Sequence, residues 1–130
     1  MSYNHAVIWI GHDEAHVIHF NPEASESETI RTHSRHQHSK RGQVTGTRAA
    51  LDQSFLHEVI NAAADVKEIL VVGPGSAKLE LVKHATRHDA QLADRIVGVE
   101  TVDHPSDGQL LAHAKKTFTR IDNLKGDSRF

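Results

Sequence analysis

A chain of 130 residues, 38% hydrophobic and 25% charged, has the length for one domain with a real core. It has no cysteine, which excludes disulfides and cysteine-based zinc sites and fits a reducing cytoplasm. A net charge of −2 excludes a polycation, and there is no run of about 18–20 apolar residues to span a membrane, nor a basic start and apolar run of the signal-peptide kind.

His5-Ala-Val-Ile-Trp-Ile10 is short, apolar, β-branched and aromatic, which predicts a strand. Gly11 to Glu14 is a turn, and Ala15-His-Val-Ile-His-Phe20 is the returning strand of an antiparallel hairpin. After Asn21-Pro22, residues 23–28 are a polar connection, and Glu28 to Ser34 alternates weakly as an edge strand. The period then changes. Phe55, Leu56, Val59, Ile60 and Ala63 recur at helical spacing, so a helix is expected over 49–64. Lys67 to Val72 is a strand apolar enough to be buried on both faces. Gly73-Pro-Gly-Ser76 is a tight turn, with Ser76 as N-cap of a helix over 77–87 that turns Leu81, Val82 and Ala85 inward. A turn or short helix over 90–95 leads to a strand over 96–102. Ser106 and Gln109 then stand in capping-box spacing before a helix carrying Leu110, Leu111, Ala114, Phe118 and Ile121. The expected fold is a single α/β domain over 1–121, in the order β-β-β-α-β-α-β-α on one mixed sheet. Residues 122–130 are read as a flexible tail.

One stretch belongs to none of these elements. From Arg31 to Leu51 there is no acidic residue, while Arg31, Arg35, Lys40, Arg41 and Arg48 supply positive charge with His33, His36 and His38 between them. Residues 1–30 are the reverse, with Asp13, Glu14, Glu23, Glu26 and Glu28 and no Lys or Arg. A segment so poor in apolar side chains cannot offset its ordering entropy by burial, and a long basic loop inside a domain is a functional candidate. Lys and Arg in this pattern suit the phosphate backbone of a nucleic acid. The segment has no aromatic residue, so shape-based recognition of folded RNA fits better than base stacking.

The element order, with a Gly-Gln loop between the third strand and the first helix, resembles the central domain of archaeal and eukaryotic class-1 peptide-chain release factors. It also resembles the matching domain of the Pelota rescue factors and their bacterial relatives. His38-Ser-Lys-Arg-Gly-Gln43, Ile69 to Lys78 and Val99 to Gln109 carry the resemblance. It implies a ribonuclease-H-like sandwich and association with the ribosome. It also implies a loop whose Gln enters the peptidyl-transferase centre and helps water attack the peptidyl-tRNA ester. Gly42 and Gln43 match the second Gly and the Gln of the family's Gly-Gly-Gln; the first Gly is Arg41 here. Arg adds bulk where Gly permits close approach, and its planar fork suits a phosphate.

The expectation is a translation-associated protein that binds the ribosome, ribosomal RNA or tRNA through Arg35, His38, Lys40, Arg41, Gly42, Gln43 and Arg48, in rescue or protection of ribosomes. Catalysis of peptidyl-tRNA hydrolysis by Gln43 and Gly42 is the alternative, although an amide does not titrate as a general base. A third reading is a metal- or pH-responsive stress protein using its twelve histidines, which raise the net charge by several units between roughly pH 7.5 and 5.5. The spacing of His33, His36 and His38 matches no structural zinc pattern, and His84, His88 and His104 are read as a loose surface set. Gly73 to Lys78 lacks the full phosphate-loop pattern, and capping accounts for Ser106, Asp107 and Gln109 beside Asp103 and His104. No metal, cofactor or membrane partner is expected. A homodimer through the edge strand is left open.

Overall fold

A computed structural model describes residues 3–32 and 53–124. The elements are β1 (His5–Ile10), β2 (Glu14–Phe20), β3 (Ser25–Arg31), α1 (Gln53–Ala62), β4 (Glu68–Gly73), α2 (Ala77–His88), α3 (Ala90–Ala93), β5 (Ile96–Thr101) and α4 (Asp107–Leu124). They form one five-stranded sheet in the order β3-β2-β1-β4-β5. The β3, β2 and β1 ladders are antiparallel, while β1–β4 and β4–β5 are parallel.

The apolar runs of β1 and β4 explain the layering. Side chains alternate across a strand, so a run without polar positions needs cover on both faces. Ala6, Ile8, Ile10, Ile69 and Val71 pack on one face with Phe55, Leu56, Val59 and Ile60 of α1 and with Leu81 and Ala85 of α2. Val7, Trp9, Leu70 and Val72 pack on the other face with Leu110, Ala114 and Phe118 of α4. β2 divides in the same way, with Ala15 and Val17 towards α1 and Ile18 and Phe20 towards α4. The result is a three-layer α/β/α domain, as the mixed-sheet expectation required.

Several boundaries differ from the sequence reading. β3 begins at Ser25 and ends at Arg31, so most of the expected polar connection is strand. Only Ile30 within it is buried, and the strand exists through its full ladder to β2. Ser76 is not a side-chain cap. Its backbone is already helical (φ −84°, ψ −9°), and its carbonyl accepts from the amides of Leu79 and Glu80. On α2, Val82 is only half-buried, whereas Lys78 and His84 are buried. α4 continues to Leu124, three residues into the expected tail. The capping box holds: the Ser106 amide donates to Gln109 Oε1 (3.0 Å) and the Gln109 amide to Ser106 Oγ (3.2 Å). Residues 49–52 of the expected first helix and 125–130 of the tail lie outside the described residues.

Gly73 marks where β4 crosses closest to β1. A Cβ there would stand 2.4 Å from the Ile10 carbonyl oxygen, a backbone atom that cannot rotate away. Two residues on, a Cβ at Gly75 would meet nothing within 4 Å. Gly73→Ala is therefore expected to lower unfolding stability by about 1–3 kcal/mol. Gly75→Ala should stay within about 0.5 kcal/mol of wild type. Urea unfolding of the two variants checks this.

Candidate nucleic-acid interface

Arg35, His38, Lys40, Arg41, Gly42, Gln43 and Arg48, the expected RNA contacts, lie outside the described residues, as do His33 and His36. The structure does describe both ends of the connection that carries them. In the sequence it follows β3 and precedes α1.

The β3 end is tied down at three points. The Thr32 amide donates to the Asp13 carbonyl at 3.0 Å. Arg31 stands opposite Glu14 in the β2–β3 ladder, and its Nη1 donates to Glu14 Oε1 at 2.5 Å. The second carboxylate oxygen, Oε2, faces two imidazoles: His16 Nε2 at 2.9 Å and His104 Nε2 at 3.5 Å. The His16 hydrogen bond holds the Glu14 carboxyl below the usual carboxylate range, with His104 and Arg31 adding to the effect and partial burial opposing it. Across the ring, His16 Nδ1 lies 3.3 Å from Asp107 Oδ1 in the first turn of α4.

Strand alternation places Glu14 and His16 on one face of β2, the face towards α4. His104 arrives from the β5–α4 connection. There Trp9 Nε1 donates to the Asp103 carbonyl at 2.6 Å, and the Trp9 and His104 rings lie with centroids 4.3 Å apart. One donor atom from each of Glu14, His16 and His104 lies within 4.8 Å of the other two.

The α1 end abuts a second histidine group. Gln53, the first residue of α1, pairs through Oε1 with His84 Nδ1 at 2.9 Å. His84 is buried, and its ring centroid lies 4.5 Å from that of His88 and 6.2 Å from that of His57. The set His84, His88 and His104 is therefore not a set. His84 and His88 share the α2 face, as their spacing required, but His104 stands across the domain with Glu14. Lys78 does not reach for a phosphate. Its Nζ donates to the Gly75 carbonyl at 2.6 Å, which ties it to its own turn.

Sequence reasoning missed Glu14 and His16 as site residues; its placement of His104 at the surface holds, with the side chain 59% exposed, but it did not bring His104 to Glu14. The local signals were Glu14-x-His16 on an alternating strand and His104-x-x-Asp107 at a helix start. Their convergence depends on a sheet crossing between residues about ninety positions apart, which neither signal encodes.

No protein-family model matches this sequence, and no curated protein sequence matches it. Its architecture is that of the release-factor and Pelota class of α/β domains. Among solved structures, Pelota from Archaeoglobus fulgidus superposes with a TM-score of 0.64 at 18% identity, over 94% of this chain and 33% of that one. The archaeal translation termination factor aRF1 gives 0.54 at 15%, over 94% and 41%. Dom34 from S. cerevisiae, a translation termination-like factor involved in RNA quality control pathways and interacting with Hbs1, gives 0.59 at 11%, over 87% and 32%. The present chain thus spans about a third to two-fifths of the length of these proteins, and at such identities the likeness is one of fold. No described helix is long and apolar enough to cross a membrane.

Burial is the main reason His84 is held below the usual imidazole range; the positive neighbours His88, His57 and Arg87 add to it. A group whose folded pKa is depressed binds fewer protons folded than unfolded. Stability from neutral His84 is therefore complete above the unfolded value near ~6.5 and is lost as pH falls. The stability advantage of wild type over His84→Gln should accordingly shrink between about pH 7.5 and 5.5. Chemical unfolding of the two proteins at stepped pH reads this directly.

Proposed function

We propose that this protein binds the ribosome, or RNA within its tRNA path, through the basic segment between β3 and α1, and acts in rescue or protection of ribosomes. The observation that carries the reading is positional. An acid-free segment with Arg35, Lys40, Arg41 and Arg48 occupies the β3–α1 connection of a Pelota-like fold. In the resembled family that connection carries the Gly-Gly-Gln loop. Arg41 in place of the first Gly favours phosphate contact over the close backbone approach that Gly allows. Both flanks, Arg31–Glu14 and Gln53–His84, are fastened to the domain body, so the segment is presented from fixed points.

Phosphate contacts release counterions, and each lost contact lowers the salt dependence of binding. Lys40→Ala, Arg41→Ala and Arg48→Ala combined should abolish co-sedimentation with purified ribosomes at moderate salt. At low salt, where residual binding can be measured, the slope of log affinity against log salt should fall by about 2–3. Pelleting that the triple variant leaves unchanged overturns the reading. Gln43→Ala separates docking from chemistry: binding should persist, because Gln43 contributes no charge. Peptide release from a peptidyl-tRNA complex by wild type, lost in Gln43→Ala, would turn the assignment to an ester hydrolase.

A further inference from the structure

We propose that Glu14, His16 and His104 form a binding site for a divalent transition-metal ion of the zinc class, joining β2 to the β5–α4 connection. The inference stands on the described residues and is independent of ribosome binding.

The donor set is two imidazoles and one carboxylate, which suits zinc and neighbouring first-row ions, with a fourth position left open. Ligand bonds of about 2.0–2.2 Å around a tetrahedral ion place donors roughly 3.3 Å from one another. The observed separations from Glu14 Oε2, 2.9 Å to His16 Nε2 and 3.5 Å to His104 Nε2, bracket that value. The side chains of Glu14 and His16 are only 21% and 18% exposed, so the site is partly shielded from water. Arg31 occupies Glu14 Oε1 and leaves Oε2 as a single-oxygen ligand.

The protons also favour a cation. His16 turns a ring nitrogen towards each of two carboxylates, Glu14 and Asp107, yet a neutral imidazole carries one N–H. Its buried Nδ1 has no hydrogen bond among the described residues, and Asp107 Oδ1 stands 3.3 Å away. With the proton on Nδ1, the Nε2 lone pair points into the space shared with Glu14 Oε2 and His104. A metal ion there takes the place of the missing proton. Asp107 then becomes the carboxylate behind a ligating histidine, the usual partner that fixes the tautomer and ring orientation. His104 is already oriented by its packing on Trp9 and by the bond from Trp9 to Asp103.

The test uses the tag-free full chain after chelator treatment, titrated with Zn2+ by calorimetry and with Co2+ by absorption. Trp9 is the sole tryptophan, and its ring centroid lies 4.3 Å from that of His104 and 5.7 Å from that of His16, so Co2+ should quench its emission. Wild type should bind one equivalent of Zn2+, with Tm raised on the order of 10 °C at a hundredfold excess over Kd. His104→Ala should weaken binding at least tenfold and abolish the quenching. The His104 side chain is 59% exposed, so this variant keeps the fold, which circular dichroism verifies. Asp107→Asn should weaken binding about tenfold. The combined His33→Ala, His36→Ala and His38→Ala variant should still bind one equivalent. Absence of stoichiometric binding by wild type, equal affinity in His104→Ala, or loss of binding in the triple variant overturns the proposal.

Discussion

β1 and β4 lie side by side, and neither has a polar face to give to water. Ile8 pairs with Val71 and Val7 with Leu70 across a parallel ladder, and all four are buried. Such a pair is stable only between two layers of cover, so α1 and α2 are required on one side and α4 on the other. Parallel pairing also requires a crossover, and α1 lies on the stretch from the sheet edge at β3 back to β4, beside the central β1. The basic segment lies on the same stretch, immediately before α1. Its two ends are therefore held by the domain, through the ladder and polar contacts of β3 at one end and the packing of α1 at the other.

How much of this was legible depended on which interaction decided each element. β1, β4 and the long helices follow from apolar period alone, because their cores are made by the residues that set the period. β3 resisted. Ser25-Glu-Ser-Glu28 is depleted in strand formers and exposed, and hydrogen bonding to β2 outweighs its composition. His84, read as surface, is buried for a related reason, and Lys78 is buried on the same helix. Lys78 extends the Leu81–Ala85 face of α2 by one turn and His84 lies within it, and burial there follows geometry rather than polarity. The Lys78 ammonium meets a carbonyl and His84 Nδ1 meets Gln53, while the buried His84 Nε2 has no hydrogen bond among the described residues.

The candidate site divides along the same line. Its charge was plain in the composition of residues 31–51, since electrostatic character needs no fold to be read. Its anchoring was not. Arg31 meets Glu14 only because the β2–β3 register sets them opposite, and Glu14 meets His104 only because α4 and its preceding turn lie across that face of the sheet. The three side chains around the Glu14 carboxylate, Arg31, His16 and His104, come from three separate stretches of chain. Their shared environment is a product of topology.

The exposed edge of β3 has a bearing on how the molecule meets other molecules. Glu26 and Glu28 project from the outermost strand, which ends at Arg31 where the acid-free segment begins. Two copies pairing edge to edge in antiparallel register about Ser27 would set Glu26 of each against Glu28 of the other, so charge opposes pairing in that register. The same two carboxylates border the positive segment along the chain. The outermost strand thus presents acidic side chains at the sheet edge just before the sequence turns basic, so the repulsion lies along the edge itself.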